Sequence, residues 1–208
     1  LHISTARELE LFAPGPMEGK HITAEACVHH LWFTDEAYAT HGPRIKWNPA
    51  VKTQGDRDAI RRAVIDGRID VIATDHAPHT LEEKARPYTR CPSGAPLVQH
   101  SLVAMLELMH DCVFTLEQVV EKMSHAPARL FDVKDRGFIA DGMFADLVLV
   151  DLDSPWTVSK DNLFYKCGWS PLEGQRFRAH VDKTWVNGRL VYNDGKVDRS
   201  ARGERLLF

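Results

Sequence analysis

Cysteine is scarce in this 208-residue chain, and the few present stand apart. Cys27, Cys91, Cys112 and Cys167 share no CxxC spacing. That excludes a zinc knuckle and argues against a disulfide framework; isolated thiols suit a reducing, cytoplasmic setting. No apolar run approaches the roughly 20 residues needed to cross a bilayer, and no basic-then-apolar leader opens the chain. Positive charge is not in excess either: 26 Lys+Arg face 29 Asp+Glu, a formal net charge of -3. A nucleic-acid binder usually carries a basic face, so that partner class is excluded along with a membrane. No internal repeat or low-complexity tract is evident.

What is present is the material of a folded domain. Hydrophobic residues make up 44% of the chain and charged residues 26%, too much apolar content for global disorder. The length fits one ordinary domain, or a domain with a small appendage. Histidine is abundant at 11 residues, and His2, His21, His29, His30, His41, His76 and His79 crowd the first part of the chain. The opening Leu1-His2-Ile3-Ser4-Thr5 lacks an initiator Met and reads as the end of a buried strand entering a loop. The expectation is a chain that starts in the middle of a longer polypeptide.

Along the chain, 5–11 reads as a helix capped by Ser4 or Thr5, 20–28 as a strand and 44–47 as a short strand stopped by Asn48-Pro49. Residues 56–65 form an amphipathic helix with Ile60, Val64 and Ile65 on one side, ended by Gly67. Residues 69–73 are an apolar strand, 74–96 a long polar loop, and 97–110, 115–123 and 125–131 are helices. This alternation predicts an α/β domain with parallel strands over 1–136, its polar segments at the carboxyl ends of the strands, where α/β barrels place chemistry. From 137 the pattern turns to β-formers and turns. Asn187-Gly188 is a hairpin signal, and 137–208 reads as a small β domain.

Four clusters offer chemistry. Thr74-Asp75-His76-Ala77-Pro78-His79 follows the strand at 69–73. A carboxylate there is either a metal ligand or general base, or the cap of the next turn; a buried one unpaired is costly. His76 is more simply a histidine making one hydrogen bond, and His79 can face the same site as Asp75. In the second cluster, strand alternation puts Glu25, Cys27 and His29 on one face, and the adjacent His29 and His30 are either ligands or caps. His2 can ligate a metal through one ring nitrogen. Asn48 either contacts a planar amide or carboxylate ligand, or simply forms an Asn-Pro turn.

Taken together these segments resemble dihydroorotase, in the cyclic amidohydrolase branch of the amidohydrolase superfamily. The most specific segment is ATDHAPHTLEEK at 73–84; hydantoinases and allantoinases differ after the Asp-His pair. LHIST at 1–5, EACVHHL at 25–31, KWNPAVK at 46–52 and GFIADGMFADLVLVD at 137–151 are similar to further family segments. The resemblance implies the C-terminal part of a (β/α)8 TIM-type barrel, about strands 6–8, followed by a returning β domain. The family's first-strand His-x-His, its carboxylated lysine and its fifth-strand histidine would lie upstream of this chain, in a missing N-terminal half of the same polypeptide. The isolated chain would then be inactive.

Residue by residue, the resemblance makes His2 and Asp75 metal ligands of a binuclear zinc centre, with Asp75 also the proton shuttle. Asn48, His79 and the backbone near Ser93 and Gly94 would bind substrate, Glu25 would support the metal site, and His29 and His30 would be structural. The implied reaction is the reversible cyclisation of N-carbamoyl-L-aspartate to dihydroorotate in pyrimidine synthesis. The rivals are another cyclic amidohydrolase, such as a hydantoinase or allantoinase, and a non-catalytic homologue that serves aspartate transcarbamoylase. Such homologues lose metal ligands, whereas His2 and Asp75 are both in place. A homo-oligomer and an aspartate transcarbamoylase partner stay open.

Overall fold

The computed structural model describes residues 1–208. They divide into two compact units: Leu1–Met105 with Thr157–Gln175, and Leu106–Trp156 with Arg176–Phe208. No helix is long and apolar enough to cross a membrane.

The first unit is built on two parallel strands, β1 (Glu25–Cys27) and β2 (Val71–Ala73), in register Glu25 to Val71 and Cys27 to Ala73. The strands are shorter than the sequence pattern suggests, because α1 (Val28–Trp32) begins directly after Cys27. After α2 (Tyr38–His41), residues 42–45 wind into a 3₁₀ turn with Pro43 near its start. The strand expected at 44–47 is therefore absent: proline fixes its own φ and has no N–H for a ladder. Ile45 and Trp47 are nonetheless buried.

Helix α3 (Gln54–Ile65) follows the sequence reading closely. Thr53 caps it, accepting the Asp56 N–H, and Gly67 beyond its end takes φ +80°. Ile60 and Val64 are buried as expected, but Ile65 is exposed, one position off the buried stripe. The expected helix at 5–11 is a 3₁₀ turn over Arg7–Leu11. The capping also runs the other way: the Glu8 carboxylate accepts the Ser4 and Thr5 N–H groups at 3.0 and 2.7 Å. Asp70, at the start of the second strand segment, is buried and fully occupied, held by the Lys20 ammonium at 2.8 Å and the Ala24 N–H at 2.8 Å.

The loop expected at 74–96 contains a short helix, α4 (Leu81–Lys84), closed by a capping box in which Thr80 and Glu83 each bind the other's N–H. The chain continues through α5 (Ser101–His110), α6 (Leu116–Val120) and α7 (Ala126–Leu130), the last two joined by a π turn. Strand β3 (Leu147–Asp151) and the short β4 (Trp156–Thr157) follow, then an excursion back into the first unit, then β5 (Arg176–Phe177). That excursion buries Tyr165, Trp169 and Leu172.

In the second unit a four-stranded antiparallel sheet runs in the order β3, β6 (His180–Val186), β7 (Arg189–Asn193), β8 (Lys196–Val197). Asn187 and Gly188 both take positive φ (52° and 75°), as a type I′ turn requires. Asp194 and Gly195 repeat this at the next hairpin (40° and 80°). Arg136 is nearly buried, paired with Asp146, donating to Asn187 and lying 4.0 Å over the Phe144 ring. Leu147, Val148 and Leu149 on the edge strand β3 stay well exposed.

His100 is fully buried in the first unit, with Nδ1 3.2 Å from the Tyr165 hydroxyl and from Ser170 Oγ. Burial lowers its pKa to about 4. It is neutral in the fold but charges in the unfolded chain below the ordinary 6.5, so its contribution is whole above pH 6.5 and is lost as pH falls toward 4. Unfolding free energy should drop by about 2 kcal/mol from this group between pH 7.5 and 5. Urea unfolding of the complete polypeptide at both pH values, with and without His100→Gln, measures it. An unchanged pH slope in the variant would refute the assignment.

Candidate metal centre and substrate loops

The parallel pairing of β1 with β2 brings three ionisable side chains together. Asp75 lies two residues beyond the carboxyl end of β2, Glu25 opens β1, and His2 is tied to β1 because the Ile3 N–H donates to the Glu25 carbonyl at 2.8 Å. The imidazole of His2 is engaged on both sides: Nδ1 stands 2.6 Å from Glu25 Oε1, and Nε2 stands 3.7 Å from Asp75 Oδ1. Partial burial and the neighbouring Glu25 charge raise the Asp75 pKa above the usual carboxylate value, while His2 pulls it down; burial is the largest effect.

The backbone is unusual at the same two residues. His2 has φ +47° and Asp75 φ +44°, in the left-handed region, which Asp and His enter more readily than most residues and which Cys112, Asp132, Asp135, Asn187 and Asp194 share elsewhere in the chain. Such conformations persist where surroundings over-determine them and gather at functional sites.

The donor set fits a zinc-like ion. A ligating imidazole typically has its second nitrogen held by a neighbour; His2 Nδ1 lies beside the Glu25 carboxylate and is hydrogen-bonded to Cys27 Sγ, which leaves Nε2 facing Asp75. Two groups of this chain place three potential ligand atoms within 4.8 Å of one another, His2 with Glu25 and Cys27, and Cys27 with His29 and His30; a zinc ion takes four ligands, so neither group alone fills its sphere. Cys27 is also close, its sulfur 3.1 Å from His2 Nδ1. Desolvation and the charges of Glu25 and Asp75 push its thiol pKa far up, so it is held protonated.

His29 and His30 are buried, with ring nitrogens within 4.8 Å of each other and of Cys27 Sγ. His29 is fully buried and stacks on Trp47, ring centroids 4.1 Å apart and planes 4° apart. His30 Nε2 meets the Pro49 carbonyl at 3.0 Å. Burial drives both pKa values down, that of His30 to about 4. Both therefore sit as neutral rings in the packing around Trp47.

The residues expected to touch substrate lie on three loops stitched by backbone bonds. Asn48 is exposed and follows buried Trp47; the bond from Asn48 to Pro49 is cis. The Gly94 N–H donates to the Lys46 carbonyl at 2.8 Å, and His76 bridges Ala95 in parallel. Gly94 takes φ +113°, and a Cβ there would fall 2.6 Å from the Ala77 Cβ, so only glycine fits this crossing. Ser93 is half-buried beside it. His79 Nδ1 is 3.4 Å from Glu83, and its carbonyl accepts the Trp169 indole N–H at 2.7 Å. His76 Nδ1 accepts the Leu97 N–H at 3.0 Å and the Val98 N–H at 3.3 Å, two bonds where one was expected. No hydrogen bond joins the Asn48 or His79 side chain to Asp75, so the expected site residues form a metal-side group and a loop group.

Sequence reasoning missed two residues. Trp169 lies 90 positions from the carbonyl it holds, and no local pattern links them. Lys84 was visible in the TLEEK run, but a lysine there reads as solvated.

This arrangement defines a class. The amidohydrolase family model matches residues 7–191, and the chain belongs to that family. Among relatives, it is 38% identical to the dihydroorotase of Anaplasma phagocytophilum over 192 residues, covering 92% of this chain and 43% of that protein. It is 34% identical to the dihydroorotase of Pyrococcus furiosus over 206 residues, covering 99% of this chain and 47% of the relative. Among solved structures, the L-hydantoinase (dihydropyrimidinase) of Arthrobacter aurescens superposes with a TM-score of 0.86 at 28% identity, over 94% of this chain and 45% of that one. The chain thus spans about half the length of the relatives it matches, and its fold is the TIM-barrel-related α/β fold of these amidohydrolases.

Proposed function

We propose that this chain is the C-terminal portion of a dihydroorotase, contributing about barrel strands 6–8 in 1–136 and the returning β domain in 137–208. The supporting observation is the convergence of His2 and Asp75 at the carboxyl ends of the paired strands, with Glu25 beside the imidazole. Similarity to dihydroorotases over nearly the whole chain supports the choice of reaction. The missing N-terminal half would bring the remaining metal ligands, including a carboxylated lysine, and the chain alone would be inactive. The protein would act in the cytoplasm, in pyrimidine synthesis.

His2 and Asp75 would each hold one of two zinc ions. When bound, these supply acidified water and a polarised carbonyl at neutral pH. Glu25 keeps the His2 ring oriented. Asp75 accepts a proton from the attacking water and delivers it to the amide nitrogen that leaves as the dihydroorotate ring opens. Asn48 and His79 donate hydrogen bonds to the ring carboxylate, a group that a plain hydantoin lacks.

Hydantoinase activity is the second reading, favoured by the hydantoinase structural neighbours. One comparison separates the two. In the complete polypeptide, Asn48→Ala and His79→Ala should each lower kcat/KM for dihydroorotate by about 10–150-fold, at 1.5–3 kcal/mol per hydrogen bond to a charged group. Turnover of an uncharged cyclic imide should change far less. Equal losses on both substrates would sink the recognition role, and turnover of hydantoin in preference to dihydroorotate would establish the alternative.

A further inference from the structure

Lys84 is the one lysine folded completely inside, with 1% of its surface exposed. Burying an ammonium is costly unless each of its three donors finds an acceptor. Here each does. Nζ donates to the carbonyls of Pro92 at 2.9 Å, Gly94 at 2.9 Å and Lys46 at 3.2 Å. The inward direction is set locally: the Thr80–Glu83 capping box closes the turn of α4, and Lys84 is its last residue.

Those three carbonyls belong to the two loops that carry the proposed substrate residues. Pro92 and Gly94 flank Ser93, and Lys46 lies two residues before Asn48. The Lys46 carbonyl also takes the Gly94 N–H at 2.8 Å, so one oxygen gathers both the turn and the ammonium. A second lysine reinforces the arrangement from outside. Lys46 Nζ donates to the carbonyls of Tyr88 at 2.7 Å and Cys91 at 2.8 Å, and lies 4.9 Å from the Tyr88 ring centroid. Gly94 has its N–H and its carbonyl engaged within the fold, and half-buried Ser93 lies between the two clamped carbonyls of Pro92 and Gly94.

We propose that Lys84 is a positioning residue for substrate, an internal ammonium clamp that fixes the 92–94 turn, and with it Ser93, against the segment that presents Asn48. The clamp touches neither His2, Glu25 nor Asp75, so it governs binding and not the proton transfer. This proposal rests on the reading of Ser93 and Asn48 as substrate-side residues. Burial lowers the Lys84 pKa to about 8, which leaves the ammonium mostly protonated at neutral pH.

The test uses the complete, metal-loaded polypeptide and two variants, Lys84→Met, which keeps an apolar stem, and Lys46→Met, which removes only the outer half of the clamp. Three quantities are read: amide exchange in the 88–95 segment, the separate KM and kcat for dihydroorotate, and bound metal per chain. Lys84→Met should speed exchange in 88–95 by about tenfold or more and raise KM by about ten- to a hundredfold, since small misplacements of positioning groups have effects of that size. Its kcat should stay within about threefold, with metal content unchanged. Lys46→Met should show the same pattern more weakly, and it carries the test if Lys84→Met fails to fold. Faster exchange in a protein whose wild type does not turn over dihydroorotate would uphold the clamp and overturn the reaction assigned to the site. Unchanged exchange in both variants, or a fall in kcat with KM unchanged, would overturn the clamp.

Discussion

Asp75→Ala in the complete polypeptide should lose at least 10²–10⁴-fold in kcat, because general acid–base catalysis alone is worth that much. The role proposed for Asp75 includes holding metal, so bound metal should fall as well. Stability should hardly change: Asp75 is partly exposed at the end of a strand, and no apolar contact goes with its carboxylate. Asp75→Asn is the sharper variant, since it keeps the shape and removes the proton acceptor. Steady-state kinetics, metal analysis and a thermal melt check the three statements together. A variant that keeps more than about a tenth of wild-type turnover would remove Asp75 from the mechanism.

The largest effect on stability should come from Trp169→Ala. Its side chain is 1% exposed, and it anchors the 157–175 excursion in the first unit while holding the His79 carbonyl. Removing a buried tryptophan costs about 3–5 kcal/mol through lost transfer energy and the cavity left behind. Trp169→Phe should cost less but still leave the His79 carbonyl without its donor, about 1 kcal/mol. Denaturant unfolding of the complete polypeptide distinguishes the two. An Ala variant within about 1 kcal/mol of wild type would show that the excursion is not anchored there.

These expectations differ in how far the sequence supported them. Helix α3 was legible because its signals are local: Ile60 and Val64 recur at helical spacing and Gly67 takes the left-handed turn after it, while the Thr53 cap that starts it at Gln54, two residues early, went unread. The Asn187-Gly188 turn was legible because so few residues accept positive φ. Residues 44–47 misled because their apolar alternation suits a strand, while Pro43 and burial of Ile45 and Trp47 suit a packed turn equally well. The grouping of His2, Glu25 and Asp75 came from the pattern of the whole chain, since parallel pairing joins segments 46 residues apart in sequence. Lys84 and Trp169 were illegible for the reason that makes them interesting: each is defined by distant carbonyls, and a carbonyl leaves no trace in the residue type that bears it.

The left-handed backbone at His2 and Asp75 has an evolutionary corollary. Glycine would relax either position, so a library screened only for heat resistance has two places where the most comfortable residue is the one that erases a side chain of the proposed metal centre. Such positions are where selection for durability and selection for turnover diverge. A survey of thermostable variants of this chain should find them either untouched or the mark of a lineage that has given up its chemistry.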